Sequence, residues 1–283
     1  MMKIFGSGDY RYEVVEGWGQ IPQLGLVSGV ACDSEDRVYV FNRSPQPAVL
    51  VFNSDGTFLT SWGEDIFKHP HGIWISANDE IFTTDRDDHT VRKFSLSGDL
   101  LMTIGRVDQP GESGQPFNEP TRAVLSKSGQ IYVSDGYGQS RVHRLTAKGE
   151  VIVSWGSAGS GPGEFNLPHD ITVDKDDRIY ILDRGNRRCQ IFNSEGEYLT
   201  EWKDLRSPND LFIDPDNIIH IAEGGQRITI MTIEGQIIGH WGEKGTTPGQ
   251  FSDSPHGIWI DSHGDLYVSE VIAEKRFQKF ARV

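Results

Sequence analysis

The chain has 283 residues, with 27 Lys+Arg against 41 Asp+Glu and a formal net charge of −14. An acidic chain without a basic block repels a phosphate backbone, which argues against nucleic acid as a partner. No run approaches the roughly 18–20 apolar residues that a membrane span needs, and residues 1–12 lack the apolar core of a secretory signal, so the expectation is a protein of the cytoplasm that engages no membrane. Cys32 and Cys189 are too few for a disulfide framework and stand in no C-x-x-C pair; they read as small buried residues.

In chain order, residues 10–20 (YRYEVVEGWGQ) come first and match the closing strand of a repeat that recurs downstream as GTFLTSWGED and GEVIVSWGSA. Six segments then follow one template: LGLVSGVACDSEDRVYVFNR (24–43), FKHPHGIWISANDEIFTTDR (67–86), FNEPTRAVLSKSGQIYVSDGY (117–137), FNLPHDITVDKDDRIYILDR (165–184), LRSPNDLFIDPDNIIHIAEG (205–224) and FSDSPHGIWIDSHGDLYVSE (251–270). Each shows period-2 alternation, a turn rich in Asp, Asn and Gly, a second alternation, and then a stretch ending near Trp-Gly. That is the pattern of four short antiparallel strands. Six repeats of about 47 residues have the size of propeller blades. The sixth stops at Val283 after its third strand, and residues 10–20 supply the missing fourth. The predicted fold is therefore all-β, a six-bladed β-propeller whose last blade is closed by the N-terminal strand. It is read as a single domain over 1–283, with blades starting near residues 25, 67, 117, 165, 205 and 251.

Trp18, Trp62, Trp155, Trp202 and Trp241 recur at blade ends and read as packing residues. The Gly-rich stretches 156–165 and 242–251 lack the Lys, Ser/Thr and helix of a phosphate loop and read as blade connections.

The residues leading into the six first strands are Ser28, His71, Thr121, His169, Asn209 and His256. Alternate blades of a six-fold arrangement are 120° apart, so His71, His169 and His256 would converge as a trigonal set with a fourth position open. Three imidazoles and one exchangeable position suit a catalytic zinc ion. Taken singly, each histidine reads equally well as a turn hydrogen-bonder. The other histidines, His69, His89, His143, His220, His240 and His263, follow no such register and read as packing or surface residues.

After the second strands stand Asn42-Arg43, Asp85-Arg86, Asp135-Gly136-Tyr137, Asp183-Arg184, Glu223-Gly224 and Glu270-Val271. The recurring acids read as acceptors for turn amides or a neighbouring histidine. Arg43, Arg184 and Tyr137 are the candidates for clamping a carboxylate and moving a proton, although each arginine alone reads equally well as a blade salt bridge.

LGLVSGVACDS, HPHGIWIS, VSDGYGQSRV, FNLPHDITVD, ILDRGNRR and SPHGIWIDSHGDLYV resemble the NHL-repeat propeller of peptidyl-α-hydroxyglycine α-amidating lyase. The resemblance runs over nearly the whole chain, including the insertion GRVDQPGESGQPFNEP. It implies zinc on His71, His169 and His256, Tyr137 as catalytic base, and Arg43 and Arg184 as active-site arginines. The implied reaction is C–N cleavage of an N-substituted α-hydroxyglycine to an amide and glyoxylate, with the substrate hydroxyl on zinc. A phenol ordinarily ionises near pH 10, so a neighbouring cation is required for it to act as base at neutral pH. The resemblance also implies a structural calcium ion held by the carbonyls of Val30 and Ile73 and by an Asp beside the third zinc histidine, where this chain has Gly257. A cysteine of the family is replaced by Gly138, in keeping with a reducing compartment, where the expected substrate is a small free metabolite such as ureidoglycolate. The alternatives are a non-catalytic NHL propeller that binds proteins and a metal-dependent hydrolase using the same central position.

Overall fold

The computed structural model describes residues 3–273 and 275–283. The described elements are short strands and one 3-10 turn, Arg184–Asn186. The turn between first and second strands explains much of the repeat. In four repeats an Asp side chain accepts two amides of its own turn: Asp33 from Glu35 and Arg37, Asp174 from Asp176 and Arg178, Asp214 from Asp216 and Ile218, Asp261 from His263 and Asp265. The residue three places on has positive φ, tolerated by Asp36, Asp177 and Asn217 and by Gly264.

Two compact units are present, Met1–Asp65 with Asn209–Val283, and Ile66–Pro208. The first begins with the hairpin β1 (Ile4–Ser7) and β2 (Tyr10–Val15), followed by the antiparallel sheet β3 (Leu26–Cys32), β4 (Val38–Ser44), β5 (Val49–Phe52) and β6 (Phe58–Trp62).

The second unit contains three such sheets: β7 (Pro70–Ile75), β8 (Ile81–Asp85), β9 (Thr90–Phe94) and β10 (Leu100–Gly105); β11 (Pro120–Leu125), β12 (Ile131–Asp135), β13 (Arg141–Leu145) and β14 (Val151–Trp155); then, after the short parallel pair β15 (Ser157–Ala158) and β16 (Glu164–Phe165), β17 (Pro168–Val173), β18 (Ile179–Asp183), β19 (Arg188–Phe192) and β20 (Tyr198–Trp202). Both β7 and β17 pack on β11. Phe82, Val91, Phe117, Val133 and Leu145 fill one inter-sheet layer, and Val142, Phe165, Ile171, Ile181 and Phe192 the next. Each such side chain contributes about 1.5–3 kcal/mol by burial.

The first unit resumes with β21 (Pro208–Ile213), β22 (Ile218–Glu223), β23 (Arg227–Thr232) and β24 (Ile237–Trp241), then β25 (Pro255–Ile260), β26 (Leu266–Glu270) and β27 (Phe277–Arg282). The N-terminal hairpin completes this last sheet in the order β1-β2-β27-β26-β25, with Tyr12 opposite Arg282. The sheet thus has five strands where the sequence predicts four. The closing strand ends at Val15, and Trp18 lies in the turn beyond it, against Phe52, Tyr267 and Phe277. Among the described residues no helix is long and apolar enough to cross a membrane.

Candidate metal centre

In β7, β11, β17 and β25 the leading residue is displaced by a bulge. In β7 the register runs from Pro70 opposite Asp85 directly to Gly72 opposite Thr84, leaving His71 out of the pairing. The same skip leaves out His169 in β17, Thr121 in β11 and His256 in β25. A bulge re-aims the side chain it carries, and the preceding proline has no N–H to lose there.

Within the second unit this brings His71 and His169 together. Their ring centroids are 4.8 Å apart, and both side chains are buried. His71 Nδ1 donates to the Thr121 carbonyl at 2.8 Å, which leaves Nε2 as its acceptor nitrogen. The hydroxyl of Tyr137 lies 3.2 Å from Nε2 of His71 and 3.0 Å from Nε2 of His169. Tyr137 reaches this position from the loop after β12, whose backbone is pinned by the Gly138 amide on the Asn118 carbonyl at 3.0 Å. Gly136 and Gly138 are required there: a Cβ would lie 2.1 Å from the Pro168 carbonyl oxygen in one case and 2.2 Å from Asn118 Oδ1 in the other.

Two guanidinium groups face the Tyr137 ring. Arg184, expected from the sequence, stands 5.8 Å from its centroid. Arg86, which the sequence reading left out, stands 5.4 Å away, its Nε donating to Asp87 at 2.7 Å. The signal for Arg86 lay in the shared Asp-Arg pair of residues 85–86 and 183–184. The acids preceding these positions hold loops in place. Asp85 accepts the amides of Lys68, His69, Asp87 and Asp88; Asp135 accepts Asn118 N and Gln139 Nε2; Asp183 accepts Asn166 N and Arg188 Nε. Burial pushes the Asp85 and Asp135 carboxyls above the usual range, against the hydrogen bonds that lower them.

The first unit holds His256, Arg43 and Val30. β25 repeats the Pro-His-Gly-Ile-Trp-Ile of β7, and the local bonds repeat too. His256 Nδ1 donates to the Ser28 carbonyl at 2.6 Å, and Gly257 N donates to Ser269 Oγ at 2.9 Å as Gly72 N does to Thr84 Oγ1 at 2.8 Å. Arg43 is half-buried near the end of β4, and Val30 is buried in β3. Asp36, Asp261 and His263 in this unit also bring ligand atoms within 4.8 Å of one another, but Asp36 already accepts Ser262 N and Oγ, and His263 is exposed.

Donor chemistry suits zinc at the imidazoles. The implied calcium ligands do not fit. The Ile73 carbonyl accepts Nη1 of Arg122 at 2.6 Å. At Gly257 a Cβ would fall 2.8 Å from the Gly29 Cα, so the acidic side chain expected of that position has no room.

A protein-family profile described as a 6-bladed beta-propeller matches residues 117–220. A gluconolactonase structure from Xanthomonas campestris superposes with a TM-score of 0.70 at 14% identity, covering 97% of this chain and 90% of that one. The fold is thus a six-bladed β-propeller. Peptidyl-alpha-hydroxyglycine alpha-amidating lyase 2 of Drosophila melanogaster is 26% identical over 91% of this chain and 72% of its own length. NHL repeat-containing protein 3 of Homo sapiens is 31% identical over 96% of this chain and 84% of its own length. On that extent of likeness the chain belongs to the family of NHL repeat-containing protein 3.

Proposed function

We propose that the protein is a zinc-dependent carbon–nitrogen lyase that cleaves small N-substituted α-hydroxyglycines to an amide and glyoxylate. The observation that carries this reading is the Tyr137 hydroxyl, within hydrogen-bond reach of Nε2 on both His71 and His169. The likeness to an amidating lyase over most of the chain supports it. The metal would be held by His71 and His169 with His256, whose local bonds copy those of His71. Bound there, zinc supplies Lewis-acid polarisation of an oxygen and neutralises developing charge.

The chain's own residues supply the remainder. Arg184 and Arg86, beside Tyr137, bind the substrate carboxylate and fix the α-carbon before the phenol; Arg43 is the third candidate for this clamp. Tyr137, acting as the phenolate, takes the proton of the substrate hydroxyl as the carbon–oxygen double bond forms, and returns it to the nitrogen as the C–N bond breaks, which regenerates the phenolate. No water is consumed, so proton and electron pair balance within the substrate.

The substrate is proposed to be a free metabolite, with ureidoglycolate as one candidate and the cytoplasm as the compartment. Neither nucleic acid nor membrane is proposed as a partner. A second reading, a non-catalytic protein-binding propeller, is favoured by the family itself, whose human member bears a name that specifies no reaction. Metal analysis of the purified protein, with glyoxylate release from α-hydroxyhippurate and ureidoglycolate, decides between them. Stoichiometric zinc with turnover supports the lyase; a metal-free, inert protein overturns it.

A further inference from the structure

One position beyond the leading residue, the six repeats carry Gly29, Gly72, Arg122, Asp170, Asp210 and Gly257. The third alone is a cation. Arg122 is 4% exposed, and its partner Asp170 is 2% exposed. Nη1 of Arg122 donates to the Ile73 carbonyl at 2.6 Å, and Nε lies 3.0 Å from Asp170 Oδ1. One guanidinium therefore ties together β7, β11 and β17, the first strands of three successive sheets. A carboxylate as buried as Asp170 is costly without a counter-charge. Carboxylate and carbonyl oxygens are also the ligands that a hard divalent cation takes. A guanidinium brings a fixed charge to the same oxygens, with Nη1 as a directed donor to the Ile73 carbonyl and an ion pair to Asp170, and it cannot dissociate or deprotonate. Gly72 lets the β11 backbone come close to β7: a Cβ there would sit 3.3 Å from the Arg122 Cα and 2.5 Å from the Thr121 carbonyl oxygen.

We infer that Arg122 is a covalently attached substitute for a calcium ion, a fixed buried cation that makes this propeller independent of calcium. Its two anchors lie close to the imidazoles: Ile73 is two residues beyond His71, and Asp170 directly follows His169. Arg122 accordingly ties together the strands that carry that pair, and the inference holds whatever reaction the protein performs.

The test uses the full chain. Purified protein is assayed for calcium and melted in EGTA and in added calcium chloride. The expected result is calcium well below one ion per chain and an unfolding midpoint that neither treatment moves. One retained calcium per chain, or a midpoint that falls in EGTA, overturns the proposal. In the second arm, Arg122→Met removes the guanidinium that faces the buried Asp170 carboxylate and lowers the midpoint by roughly 5–10 °C. Arg122→Met/Asp170→Asn regains part of that loss, and Arg122→Lys falls between wild type and Met. A single variant that melts with wild type, or a double variant no better than the single, overturns the charge role. Should Arg122→Met yield no folded protein, the wild-type calcium measurements and Arg122→Lys decide.

Discussion

The hydroxyl of Tyr137 lies 3.0 Å from Nε2 of His169, and its one proton cannot be donated to that nitrogen and to Nε2 of His71, 3.2 Å away, at the same time. Nδ1 of His71 is committed to the Thr121 carbonyl, so its Nε2 is an acceptor for the phenol, with Nε2 of His169 on the other side of the same oxygen. Tyr137→Phe is expected to lower glyoxylate release by roughly 10²–10⁴-fold, the range of a lost general base. Metal content should stay at the wild-type level, because the histidines keep their bulged positions. Loss of both metal and fold in this variant would reduce Tyr137 to a packing residue.

His71→Ala and His169→Ala should each cost zinc occupancy, read by metal analysis after dialysis, while the circular dichroism spectrum stays that of the all-β wild type. Retention of zinc in both variants is the result that sinks the metal centre.

Arg184→Met and Arg86→Met each remove a guanidinium facing the Tyr137 ring. A charge-assisted hydrogen bond to a substrate carboxylate contributes about 1.5–3 kcal/mol, so kcat/KM should fall roughly 10–100-fold, mainly through KM. A substrate analogue with an ester in place of the carboxylate should lose that sensitivity. Equal losses on both substrates would place the arginines in the scaffold instead.

Acid sensitivity is expected from His220. It occupies the place taken by Tyr39, Tyr180 and Tyr267 in other repeats, whose hydroxyls donate to Asp33, Asp174 and Asp261. His220 lies 3.2 Å from Asp214, and burial pushes its pKa below the usual value. The native state thus favours the neutral imidazole. Its contribution to stability is present above the ordinary histidine pKa of about 6.5 and is lost as the pH falls through the depressed native value. Melting curves between about pH 7 and pH 5 should fall less steeply for His220→Tyr than for wild type. Parallel curves would remove His220 from the account.

Both cysteines are fully or nearly fully buried, and burial pushes the Cys32 and Cys189 thiols up. Neither should react with a disulfide reagent in the native state, and both should react once urea unfolds the chain.

The leading histidines and Tyr137 were legible because a repeat makes each departure from the template visible. The bulge that turns His71, His169 and His256 out of register carries no residue signature of its own beyond the preceding proline. Arg86 was hidden by its likeness to the loop-holding Asp-Arg pairs around it. Arg122 breaks the template openly, but its meaning depends on the Ile73 carbonyl, a backbone atom with no side-chain signature. β1 escaped notice because four residues, Ile-Phe-Gly-Ser, are too few to show alternation.

The pairing of Tyr12 with Arg282 also sets a schedule for biosynthesis. The strand that β27 needs as a neighbour leaves the ribosome 282−12=270 residues before its partner and must stay unpaired on that side until β27 has emerged. A contact of such sequence separation is slow to form, and until then Tyr12 and Phe280 lack each other's cover. Slowing translation should therefore lengthen the interval in which a nascent chain is captured by chaperones, and a circular permutant that makes β2 continuous with β27 should shorten it.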